Sequence, residues 1–120
     1  MIIAASAAVL LISLLVVMLI FNNNSRREVR KQLDLGSQYL SELNFDKAAA
    51  AFRDAVRIDP EDEEVLELFH ECYLSWAQND PENKISIYET ERNTLNAILA
   101  EAPSERAGEL LLRVEELLGK

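Results

Sequence analysis

From Ile2 to Phe21 the chain carries no charged side chain, and Ser6 and Ser13 are the only polar ones. At about 1.5 Å per residue, a helix of that length reaches roughly 30 Å, the thickness of a bilayer's hydrocarbon core. The pattern then changes. Apolar positions recur at helical spacing in shorter stretches: Val29, Leu33, Leu40 and Leu43, then Ala48, Ala51, Phe52, Ala55, Val56 and Ile58. A last stripe comprises Ala107, Leu110, Leu111, Val114, Leu117 and Leu118. After Asn22, Asn23 and Asn24, Ser25 with Glu28 three residues on has the form of a capping box, so a new helix is expected to start at Ser25. Asp46 is placed to cap the following helix and Asp59-Pro60 to end it, and the acidic run from Asp59 to Glu64 suits another helix N-terminus. A loop is expected over 78–83, and a final helix is capped by Ser104 and closed at Gly119.

The fold class that follows is all-α. A transmembrane helix over 1–21 leads through a basic juxtamembrane segment and helix start, 22–31, into a helical domain over 32–120. Three Gly and three Pro in the whole chain agree with helices rather than sheets. The apolar run is read as a retained anchor. No Lys or Arg precedes it, it is longer than a signal core, and Leu19-Ile20-Phe21-Asn22 offers no small-x-small cleavage pattern. Arg26, Arg27, Arg30 and Lys31 follow the run, which by the positive-inside rule places the domain in the cytoplasm. Those four residues either touch anionic headgroups or form a solvated flank.

The spacing of Leu35, Gly36, Tyr39, Ala48, Phe52, Ala55 and Pro60 resembles the tetratricopeptide repeat, a helical hairpin of about 34 residues. The chain as a whole resembles single-pass, membrane-anchored bacterial tetratricopeptide proteins, some of which face outward, so the extracytoplasmic side stays open. The resemblance implies a short array of antiparallel helical hairpins: one well-formed repeat over 29–62, a degenerate one over 63–103 and a capping helix over 104–119. Gln32 departs from the family, which prefers a bulky aromatic there. One period on, Phe69, His70 and Tyr73 take the places of Leu35, Gly36 and Tyr39, and after a lengthened loop Tyr88, Leu95, Ile98 and Pro103 take those of Phe45, Phe52, Ala55 and Pro60. His70 and Glu91 stand where the family keeps small residues, so a splayed second hairpin and tolerance of His70→Ala are expected.

Chemistry is sparse. One His and one Cys fall short of the roughly four ligands of a structural zinc site and give no nucleophile-base arrangement, so catalytic residues, metal and cofactors are all read as none. His70 and Cys72 are read as residues of the helix interfaces. Residues 59–120 hold 16 Asp or Glu against 5 Lys or Arg, while residues 1–58 hold 5 against 7, so nucleic acid is not expected as a partner. The resemblance implies a protein-interaction module whose groove is lined by the first helix of each repeat: Arg30, Leu33, Ser37 and Leu40, then Glu64, Glu67, Glu71 and Leu74. The Lys and Asn with which some relatives clamp a terminal carboxylate are missing at Leu33, Ser37, Glu67 and Glu71. Glu64, Glu67 and Glu71 form one stripe, which fits either a basic, amphipathic peptide or a solvated helix face. Two further readings are a structural oligomerisation or stalk element, with two copies completing each other's apolar faces, and the anchor-proximal part of a longer envelope protein.

Overall fold

The computed structural model describes the backbone from Ile2 to Gly119 and the side chains from Ser6 to Gly119; Met1 and Lys120, the outer bounds of the expected segments, lie outside the described residues. Every element is helical: α1 (Ile2–Ser41), α2 (Phe45–Ile58), α3 (Glu63–Asn79), a short 3₁₀ turn (Pro81–Asn83), α4 (Lys84–Glu101) and α5 (Glu105–Leu117).

The expected break at Ser25 does not occur. α1 runs unbroken for 40 residues, which at 1.5 Å per residue is about 60 Å. Asn22, Asn23 and Asn24 each cost a few tenths of a kcal/mol as helix residues. A break would leave the orphaned N–H and C=O groups of two helix ends without partners, which costs more. Glu28 consequently does not reach back to Ser25; its carboxylate accepts a hydrogen bond from Gln32 Nε2 at 2.9 Å, one turn along the same helix. The N-terminal part of α1 is exposed on all sides, with Val9 to Phe21 at 46% exposure or more wherever a large apolar residue stands. It has a mean hydropathy of 2.2 and is long and apolar enough to cross a membrane.

α1 ends in a Schellman turn. The Asn44 N–H donates to the Tyr39 carbonyl at 2.9 Å and the Leu43 N–H to the Leu40 carbonyl at 3.0 Å, with Leu43 left-handed at φ 59°. Leu43 is thus an exposed turn residue and not part of the helix face. This turn makes Asn44 the N-cap of α2, without a side-chain cap bond, and Asp46 falls in the first turn instead of capping. The two later caps form as their residues suggest: Asp62 accepts from the Val65 N–H at 3.2 Å and Ser104 from the Ala107 N–H at 3.1 Å.

From Val29 onward α1 packs against α2 in the opposite direction. Tyr39 lies near Lys47, Gly36 against Phe52, and Val29 beside Ile58. A Cβ on Gly36 would stand 2.6 Å from the Phe52 ring, so only glycine permits this approach. Leu33 of α1, with Phe52, Ala55, Val56, Phe69, Leu95, Ile98 and Val114, is almost inaccessible, and together they tie all five helices into one core. α3 returns in the direction of α1, and α5 runs parallel to α3, since Glu63 meets Arg106 and Glu67 meets Arg113. α4 lies antiparallel to α3, and its end meets that of α2 through Arg57 and Glu101. The ends of α2 and α4 and the starts of α3 and α5 therefore all lie at the end of the array nearest the apolar run. Phe45, Tyr73 and Trp76 stack at the opposite end, with centroids 6.1 and 6.0 Å apart.

Candidate functional site

The residues expected to line a groove fall into three groups. Leu33 is 3% exposed and belongs to the core, so it offers no surface to a partner. Leu40 and Leu74 are half-buried against the same core. Ser37, Glu64, Glu67 and Glu71 are exposed, yet two of the three carboxylates already have cations: Arg30 lies 3.7 Å from Glu64 and Arg113 lies 2.9 Å from Glu67. Both links join neighbouring helices. The acidic stripe is thus partly consumed in holding α3 against α1 and α5.

A cleft of about 510 Å³ opens one helix further along, between α3 and α5, and of the expected residues only Glu67 lines it. Its floor is Leu66 and Leu110, both buried, and its rim carries Glu61, Glu63, Glu67, Glu105 and Glu109 with Arg106 and Arg113, which pair with Glu63 and Glu67. The cleft is built by the caps. Ser104 donates its hydroxyl to the Pro60 carbonyl at 2.7 Å while accepting from Ala107, and the Glu105 N–H donates to Glu61 Oε1 at 2.8 Å. These contacts fix the start of α5 beside the start of α3. Arg106 reaches the Glu61 carbonyl at 3.3 Å. Glu105 and Glu109, four residues apart on the exposed side of α5, have no cation within 4.0 Å among the described residues.

Between α3 and α4 lies a pairing that spacing alone did not expose. His70 Nδ1 and Glu91 Oε2 are 2.6 Å apart, both side chains almost wholly buried, and Glu91 Oε1 has no hydrogen-bond partner. Burial raises the Glu91 pKa; the hydrogen bond from His70 and the charges of His70 and Arg113 act against that rise. This corrects the expectation that His70→Ala is tolerated, because the substitution would strip the buried carboxyl of its one partner. The two residues that looked misplaced satisfy each other. A signal was available: each interrupts an apolar row, His70 beside Phe69 and Tyr73, Glu91 between Tyr88 and Leu95.

Cys72 is fully buried, and its thiol is pushed up to about 12, first by burial and then by the nearby Glu91. It stays protonated at neutral pH. Among the described residues, no group of three or more His, Cys, Asp or Glu is arranged to hold a metal ion. In comparisons with known proteins, no family model matches the chain, and neither a curated protein nor a solved structure matches it.

Proposed function

We propose that the chain is a membrane-tethered protein-interaction module of tetratricopeptide type, without catalysis of its own, and that its docking site is the α3–α5 cleft rather than the α1–α3 face. The observation that carries this reading is the unbroken α1. Its N-terminal half exposes a band of large apolar side chains that water would not tolerate on a soluble protein, while its C-terminal half is the first helix of the packed array. The antiparallel α1–α2 pair, closed on Gly36, and the parallel course of α1, α3 and α5 support the repeat assignment. The bacterial setting and the cytoplasmic side rest on the resemblance and on Arg26, Arg27, Arg30 and Lys31 alone.

A rim rich in carboxylates over a Leu66 and Leu110 floor suits a basic, amphipathic segment, held by salt-sensitive attraction. The test is capture of a Lys- and Arg-rich amphipathic peptide by the full chain in vesicles, with and without Glu105→Lys and Glu109→Lys. Capture should disappear in the doubly substituted chain. Undiminished capture would remove the cleft from the proposal.

A further inference from the structure

The basic segment that fits this cleft is present in the chain itself. Arg27 and Lys31 stand four residues apart on α1 and are exposed. No carboxylate lies within 4.0 Å of either among the described residues. They line a shallow surface with Asp34, Leu35 and Gln38. Helical periodicity sets this face away from Leu33 and Gly36, which point into the core. At the far end of the array, Glu105 and Glu109 repeat the same spacing with the opposite sign, and their carboxylates too have no cation within 4.0 Å among the described residues.

The two faces also stand at one height. Arg30 reaches Glu64 at the start of α3, and Glu61 just before it receives the Glu105 N–H, so the starts of α3 and α5 are level with residues 27–31 of α1. Because α1 is continuous, that height is set relative to the apolar run, in every copy alike. Two copies in one bilayer with the same orientation present their α1 helices parallel to each other's α3 and α5. In that register Arg27 meets Glu105 and Lys31 meets Glu109, both pairs being offset by about 6 Å along parallel axes. The groove between two upright helices accepts a third upright helix.

We propose that the occupant of the α3–α5 cleft is the Arg27–Lys31 face of a second copy of this chain, docked side by side in the membrane plane. This deepens the function proposed above and rests on its reading of α1 as an anchor. The contact joins opposite ends of the array, so it is head-to-tail and builds rings or rows rather than a closed symmetric pair. Headgroups are the weaker match for Lys31. Lys31 lies about 15 Å along the helix beyond Phe21, whereas the headgroup layer adds roughly 5 to 8 Å to each side of the hydrocarbon core.

The experiment uses the full chain labelled at Gln78→Cys, an exposed position far from both faces, with donor and acceptor dyes in neutral phosphatidylcholine vesicles at low salt. Energy transfer should exceed that of randomly distributed chains and fall to the random level in Arg27→Glu/Lys31→Glu and in Glu105→Lys/Glu109→Lys. Mixing the two reversed chains, donor on one and acceptor on the other, should restore it. That rescue shows that neither variant lost transfer by misfolding. Random transfer in the unsubstituted chain, or transfer that survives both reversals, would overturn the proposal. Flotation separates the causes: a chain that does not float with the vesicles removes the anchor and the proposal together. A floating chain that captures the basic peptide but shows only random transfer keeps the cleft and overturns self-docking.

Discussion

At the scale of single residues, the buried His70–Glu91 pair governs how the array responds to pH. The folded state raises the Glu91 pKa, so between its ordinary carboxylate value and the raised one the folded chain holds a proton that the unfolded chain has released. Stability from this group is therefore complete below the ordinary value and is lost as pH rises through the folded one. Glu91→Gln keeps the shape and removes the titration. Its thermal midpoint relative to the unsubstituted chain should increase from acid to neutral pH; a constant difference would show that Glu91 does not titrate in the folded range. His70→Ala should destabilise by about 1 to 3 kcal/mol, and by more at neutral than at acid pH, because losing the His70 hydrogen bond lets burial raise the folded Glu91 pKa further. Leu43 is the opposite case, an exposed side chain in the left-handed conformation. Leu43→Gly should stabilise by about 1 kcal/mol in chemical denaturation, since glycine adopts that conformation without the Cβ clash and little burial is lost. The pair showed in the sequence only as two polar interruptions of apolar rows, and the leucine not at all. The pair lies 21 residues apart in sequence, and a left-handed leucine contradicts every turn propensity on which sequence reading relies.

At the scale of elements, legibility followed the strength of the competing local signals. Ser104 behaves as its sequence suggests because a proline precedes it and an apolar stripe follows, leaving the helix one place to begin. Ser25 carries an equally good capping pattern, but the residues before it are already helical, and a cap has no orphaned N–H groups to satisfy inside a continuing helix. The α1–α2 contact was legible from the repeat spacing, because Gly36 and Phe52 mark the point of closest approach. Gly36→Leu should force Phe52 out of a site that is fully buried, costing about 1 to 3 kcal/mol or more as read by chemical denaturation. An unchanged midpoint would mean that these helices separate freely at that point. The pairing of the acidic stripe was hidden for a related reason: the spacing located the helices but not Arg30 and Arg113 on their neighbours, which reach Glu64 and Glu67.

At the scale of the whole molecule, the apolar half of α1, long and apolar enough to cross a membrane, and the packed array have almost no contact with each other. Residues 6–21 are exposed throughout, and the first side chain of α1 packed against the core is Val29. Asn22, Ser25 and Arg26 only border the cleft beside Ile58, Asp59 and Asp62. Deleting residues 1–21 should therefore leave the array's thermal midpoint within the shift expected of about 0.5 kcal/mol, the usual scale of surface changes. Membrane retention should be lost at the same time. Alkaline carbonate extraction should pellet the full chain and release the truncated one, because what remains carries an acidic end, including Asp59, Glu61, Asp62, Glu101 and Glu105, on the side nearest the apolar run. A truncated array that unfolded would show that α1 needs its apolar half to nucleate. A truncated array that stayed with the membrane would show that the basic face of α1 grips headgroups after all.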